Sequence, residues 1–283
     1  SGRYEFKNKG IDVFLESMAI LNRERTHVDR QILAFIMVPA NHKGPRKDYD
    51  DLLTSHYLHD PEYDPVLNVM REQGLTNAEK NNVKVFFIPC YLNGDDGLIN
   101  KTYYELLIGL DLSVFPSYYE PWGYTPLESL AFRVPTITTS LAGFGAWVEK
   151  IYKSPHPGIE IIFRGDNNYV SVVNDVTSVI RRMSALSPAE AARVRDNARD
   201  VSTIALWDNQ LQYYKKAYSI ALDKIIENLG RFPLKREECT TTVHRELLRS
   251  FPTWSPVTIQ KQLPQRLNFL EVLSRNLWWS WNS

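Results

Sequence analysis

Five short apolar runs, separated by stretches with helical periodicity, constrain the fold more than any other feature of this chain. Leu33 to Val38, Val83 to Ile88, Leu112 to Phe115, Thr136 to Thr138 and Ile159 to Phe163 each read as a strand. Ahead of the first run, Ile11, Phe14, Leu15, Met18 and Leu21 form a helical stripe. Between the runs lie a polar, helix-prone insertion to about Asn82 and helices from Tyr103 to Gly109, Thr125 to Phe132 and Ala146 to Ile151. Strands alternating with helices predict an α/β fold, a parallel sheet with helices on both faces, and right-handed crossovers make it doubly wound. After Phe163 the pattern turns helical over Val170 to Met183, Pro188 to Leu206 and Trp207 to Leu229.

The third run feeds the densest group of chemically interesting residues. Pro121, Gly123 and Pro126 punctuate a turn that carries Glu120 and opens a helix carrying Glu128. Thr125-Pro126-Leu127-Glu128 fits a capping box, with Thr125 as N-cap and Glu128 three residues on. Open α/β sheets bind ligands at such strand-to-helix turns, where helix-start N–H groups face a phosphate. As a bare pattern the two glutamates also fit a solvated Glu120 and a Glu128 that only caps its helix.

The run Phe115-Pro116-Ser117-Tyr118-Tyr119-Glu120-Pro121-Trp122-Gly123-Tyr124-Thr125-Pro126 resembles the signature of retaining glycosyltransferases, specifically glycogen synthases of the fungal and animal type. Gly2-Arg3-Tyr4-Glu5-Phe6-Lys7-Asn8-Lys9-Gly10 resembles the opening of that family's C-terminal nucleotide-sugar domain. Ile137-Thr138-Thr139, Gly143-Phe144-Gly145, Gly158 to Ile162 and the Trp207 to Leu222 helix match in order, so the resemblance covers about residues 1–225. It implies the Rossmann-like C-terminal half of a two-domain GT-B glycosyltransferase over residues 1–230, closed by C-terminal helices. The missing N-terminal domain would complete the site.

The resemblance implies roles for individual residues. Arg3 and Lys9 match the basic pair that neutralises the leaving diphosphate, a task suited to a bidentate guanidinium and a compact ammonium. Lys7 does not match a phosphate-binding position. Glu120 resembles the carboxylate facing the sugar, and Glu128 the one bonding the ribose. Tyr91, Tyr103 and Tyr124 fall where the family places aromatics around the nucleotide, and Thr125 contributes helix-start contacts. Without the resemblance, the tyrosines read equally as core or helix-face residues, and Arg3 and Lys9 as solvated. Gly143-Phe144-Gly145 could bring backbone close to the donor, but it lacks the third glycine of a dinucleotide fingerprint. The family's glucose 6-phosphate site is a dense arginine cluster. Here Arg193, Arg195 and Arg199 alternate with Glu190, Asp196 and Asp200, so activation by that route is not expected.

Thirty-three basic and thirty-three acidic residues balance, which argues against nucleic acid or a membrane surface as partner. No apolar run reaches the ~18 residues that span a bilayer, and the expected location is cytoplasmic. Cys90 and Cys239 read as free thiols in a reducing compartment, although spacing does not exclude a bridge. His56, His59, Asp60 and Asp64 read as a polar surface helix end rather than a metal site, and neither cysteine joins a ligand cluster. No metal or pyridoxal phosphate is expected, only the donor UDP-glucose or ADP-glucose and an α-glucan acceptor.

Residues 231–283 differ, with Pro233, Pro252, Pro256 and Pro264 breaking any long element. Asn276-Leu277-Trp278-Trp279-Ser280-Trp281-Asn282 resembles the opening of bacterial α-glucan phosphorylase-type domains, implying a linker and the start of a phosphorylase-like region in a fused, longer chain. An amphipathic helix packed on the preceding domain is the other reading. The implied function is donor binding for glucosyl transfer to an α-1,4-glucan. The alternatives are another retaining GT-B transferase, or a non-catalytic glucan-binding or scaffolding module resting on Trp278, Trp279 and Trp281.

Overall fold

The computed structural model describes residues 1–24, 30–48, 52–152 and 156–231, with side chains of the last helix described to residue 224. Cys239, the proline-broken stretch and the tryptophan-rich end lie outside the described residues. A turn over residues 6–10 leads into helix α1 (Ile11–Glu24), whose Ile11, Val13, Leu15, Met18, Ala19 and Leu21 are buried. Strand β1 (Ile32–Met37) follows, then a short hairpin of β2 (His42–Pro45) and β3 (His56–Leu58). Helix α2 (Pro65–Glu72) starts on Asp64, whose carboxylate accepts the Leu67 N–H, and has Pro65 in its first turn. Strand β4 (Val83–Ile88), helix α3 (Tyr103–Leu107), strand β5 (Ser113–Val114) and helix α4 (Tyr124–Ala131) come next. Strand β6 (Thr136–Thr139), helix α5 (Gly143–Tyr152), strand β7 (Ile159–Ile162) and helices α6 (Tyr169–Ser184) and α7 (Pro188–Thr203) complete the first compact unit, Ser1–Ala205. The second unit, Leu206–Ser283, contributes helix α8 (Trp207–Arg231).

The expected strands form and are parallel, but they are hydrogen-bonded as two sheets. One pairs β1 with β4 in register Ile32 to Val83 through Met37 to Ile88, and the other has the order β5-β6-β7. Among the described residues no ladder joins β1 to β5, because β5 contributes only Ser113 and Val114 and both strands instead line one cleft.

Side-chain alternation gives each sheet two apolar faces. Ala34, Ile36, Val83, Val85 and Phe87 join α1, α2 and α6 in the main core, together with Ile137 and Ile162 from the second sheet. Opposite them, Met37, Ile88 and Cys90 pack with residues of α3, and Ile159 packs with Leu130, Phe144, Val148, Ala198 and Val201. Helices therefore cover both faces, as the alternation predicts. No described helix is long and apolar enough to cross a membrane.

Two local expectations are corrected. Helix α4 begins at Tyr124, with Gly123 as a left-handed N-cap at φ 105° and no side-chain cap, so Thr125 and Glu128 make no capping box. A glycine reaches this conformation without Cβ strain, which moves the N-cap two residues earlier than expected and puts Pro126 at the third helical position. Capping boxes occur instead at Thr102 with Glu105 and Ser187 with Glu190. The helix-prone insertion contains the hairpin as well as α2, and His56 is a fully buried strand residue rather than part of a surface helix end.

Candidate functional site

A cleft of about 630 Å³ opens between β1 and the β5 segment, and at its strand C-terminal end it gathers residues from distant parts of the chain. Arg3 comes from the segment leading into the turn before α1 and Lys9 from that turn, Tyr103 from α3, and Glu120, Tyr124 and Thr125 from the loop after β5 and the start of α4. Lys9 Nζ donates to Glu120 Oε2, pairing residues 111 apart, and both side chains are only about a fifth to a quarter exposed, at 21% and 24%. Such a half-buried pair is screened far less than a surface one. Arg3 is largely exposed and reaches Glu5 at 3.8 Å.

The loop carrying Glu120 is held by its backbone. The Glu120 N–H donates to Leu141 O at 3.4 Å, and its carbonyl accepts the Gly143 N–H at 3.0 Å. The Phe144 N–H reaches Trp122 O at 2.6 Å. The Gly143 and Gly145 backbones thus pack on this loop and on Thr139, so their close approach is to the protein itself. That packing places the uncapped start of α4 beside Glu120, and its N–H groups and positive dipole end suit an anion.

The remaining expected residues divide. Tyr103 lines the cleft, receives a hydrogen bond from Ser1 Oγ at 2.9 Å, and has its phenol pKa raised by burial. Tyr124 lines it while largely exposed. Tyr91 is 76% exposed and does not line the cleft. Glu128 lies outside it as well, accepting from Tyr104 Oη at 3.2 Å, and its charge holds the Tyr104 phenol above its ordinary pKa. Tyr104 escaped the sequence reading, as did Arg164, a buried cation two residues past β7.

Outside the cleft, His56, Cys90 and Asp96 bring potential ligand atoms within 4.8 Å of one another, which corrects the expectation that neither cysteine joins such a group. The His56 and Asp96 donor atoms already have partners. His56 Nε2 donates to the Asp96 carbonyl at 3.0 Å, leaving Nδ1 to accept from Ser55 Oγ at 2.8 Å. The Asp96 carboxylate accepts the N–H groups of Leu98, Ile99 and Asn100. Burial would raise its pKa, but those amides hold it below the usual carboxylate range. Burial, with Asp96 adding to it, pushes the Cys90 thiol up to about 11, and Cys90 is a free, buried thiol. This network ties the loop after β4 down to the hairpin.

Among solved structures, the chain is similar to WaaG, a glycosyltransferase involved in lipopolysaccharide biosynthesis, at 18% identity and a TM-score of 0.41 over 70% of this chain and 40% of that one. A score that low carries no inference about fold. Curated relatives are closer. The glycogen (starch) synthase of Neurospora crassa is 29% identical over 78% of this chain and 41% of its own length. The liver glycogen (starch) synthase of Homo sapiens is 29% identical over 79% and 41%, and that of Caenorhabditis elegans 27% identical over 86% and 47%. The chain thus spans less than half the length of the relatives it matches. The family model for glycogen synthase matches residues 1–48 and 45–267, nearly the whole sequence and all of the cleft. The chain belongs to the glycogen synthase family.

Proposed function

We propose that this chain is the donor-binding, C-terminal half of a retaining glycogen synthase, a doubly wound Rossmann-like domain of GT-B type acting in the cytoplasm. It would transfer glucose from UDP-glucose or ADP-glucose to the non-reducing end of an α-1,4-glucan. The observation that carries this reading is the meeting of Lys9, Glu120, Arg3 and the uncapped start of α4 in one cleft. Cations and N–H groups at that point suit a diphosphate leaving group, and a carboxylate beside them suits a sugar that becomes cationic.

In this reading the bond from the anomeric carbon to the β-phosphate oxygen breaks. Lys9, Arg3 and the α4 N–H groups take up the charge on the departing diphosphate, while Glu120 stabilises the oxocarbenium-like sugar. The acceptor hydroxyl attacks from the face the diphosphate leaves, and the phosphate takes its proton. This front-side course retains configuration without a covalent enzyme intermediate. Retaining glycosidases instead place two carboxyl groups about 5–5.5 Å apart. Here Glu128 lies outside the cleft, engaged by Tyr104, and its role is to hold the ribose once the nucleotide is seated. Acceptor-binding groups belong to the part of the family's length that this chain does not span.

Calorimetric titration with UDP and ADP tests the reading. One nucleotide should bind preferentially and weaken with Arg3→Ala, and the chain alone should make no glucan. Failure of both nucleotides to bind would sink the donor-site assignment, and glucan synthesis by this chain alone would overturn the half-site part of it.

A further inference from the structure

Lys9 and Glu120 sit on segments that are far apart in sequence, so their meeting depends on how the turn over residues 7–10 is seated on the loop over 115–120. The seam between them is close. The Tyr118 N–H donates to Asn8 O at 2.7 Å. Gly10 has φ 67°, and a Cβ there would fall on the Pro116 carbonyl oxygen and 2.9 Å from Arg164 Nη1.

Arg164 closes the seam from below. It is 6% exposed, and its Nη1 donates to the same Pro116 carbonyl. Its guanidinium carbon lies 5.3 Å from the centre of the Tyr118 ring, and its backbone N–H donates to Ser140 Oγ at 3.1 Å. Asp12, 5% exposed, supplies countercharge. One of its oxygens accepts from Lys7 Nζ at 2.9 Å, and Oδ1 has no hydrogen-bond partner. Burial lowers the Arg164 pKa, and Asp12 acts against that.

A buried guanidinium is a costly way to fill space, since an apolar side chain of similar volume is often as stable or more so. What the guanidinium adds is geometry, because one planar group bonds a carbonyl and lies against a ring. We propose that Arg164 is a positioning residue, locking the Lys9 turn onto the Glu120 loop so that Lys9 reaches both Glu120 and a bound diphosphate. It acts through Lys9 without touching the donor, and it rests on the reading of the cleft as a nucleotide-sugar site. Lysine cannot replace it, having no plane with which to satisfy both partners.

The test uses this chain with Arg164→Lys, Arg164→Met, Lys9→Met and the double variant Arg164→Lys/Lys9→Met. Amide exchange at Tyr118 should quicken about tenfold in both Arg164 variants, while the Phe87 amide, bonded to Leu53 O at 2.8 Å, keeps its rate. Unchanged exchange at Tyr118, or equal quickening at Phe87, would overturn the proposal. The second readout is the affinity advantage of the preferred nucleoside diphosphate over its nucleoside. Arg164→Lys should cut that advantage about tenfold, and the double variant should lose no more than Lys9→Met alone. Additive losses would show that Arg164 does not act through Lys9. A wild-type chain that binds nucleoside and diphosphate alike defeats the donor-site reading instead, and the exchange rates still decide whether Arg164 holds the seam.

Discussion

The loop after β5 and the loop after β4 both leave the C-terminal ends of parallel strands, but they are held in different ways. The first is bonded from several sides: Tyr118 to Asn8, Glu120 to Leu141 and Gly143, Trp122 to Phe144, and Pro116 to Arg164. The second is tied to distant segments at fewer points, the Asp96 carbonyl to His56 and the Pro89 carbonyl to Ala40, and otherwise closes on itself, with Asp96 gathering the N–H groups of Leu98, Ile99 and Asn100 and the Tyr103 N–H returning to Leu92 O at 3.0 Å. The first puts Glu120, Tyr124 and Thr125 into the cleft, whereas the second delivers Tyr103 at its far end and leaves Tyr91 in solvent. The loop bonded from more sides is the one that carries charged residues into the cleft, since bonds to distant segments set a loop's position relative to residues elsewhere.

The comparison is most exposed at two glycines with positive φ. Gly10→Ala forces a Cβ onto the Pro116 carbonyl and should cost about 4 kcal/mol. Gly94→Ala, at φ 92° with its nearest neighbour 3.7 Å away, should cost about 1 kcal/mol. Urea melts of the two variants check this, and equal losses would mean the two loops are held alike. The next largest effect falls on binding. Lys9→Met removes the partly buried cation and should weaken the nucleoside diphosphate by about 2 kcal/mol, roughly thirtyfold by calorimetry.

Aromatic contacts come next. Tyr103→Ala should weaken nucleotide binding by about 1 kcal/mol. Tyr91→Ala should leave the titration unchanged, and a loss there would show that the loop after β4 folds over the ligand. A further effect is a pH dependence at the root of that loop. Cys90 is raised from 9 to about 11, so its thiol stabilises the fold fully below pH 9. That contribution is lost as pH rises through 11. Thermal melts should show an alkaline decline between those values, which Cys90→Ala removes.

The sequence showed most of the elements because apolar runs bounded by proline, glycine and polar residues leave little choice of period. It did not show which strands pair. Any of the apolar runs suits a parallel neighbour, and the gap between β1 and β5 depends on tertiary packing. The start of α4 was misplaced because Gly123 enters it through a left-handed conformation that no capping pattern announces. Lys9 and Glu120 were found by their likeness to a family, and the structure brings them together. Arg164 and Asp12 were missed because a charged side chain just after a strand or in a first helical turn is ordinarily solvated, and only the folded seam buries them. The hairpin was hidden for the opposite reason, its His42-Lys43-Gly44-Pro45 strand being too polar to stand out.

The ion pair between Lys9 and Glu120 has a further consequence. An anion that seeks Lys9 finds the ammonium already neutralised and must win it from a carboxylate that stays nearby. By Coulomb's law a singly charged anion gains less from that exchange than a diphosphate does. In the proposed reading, the negative charge of Glu120 is freed as the diphosphate takes its place on Lys9.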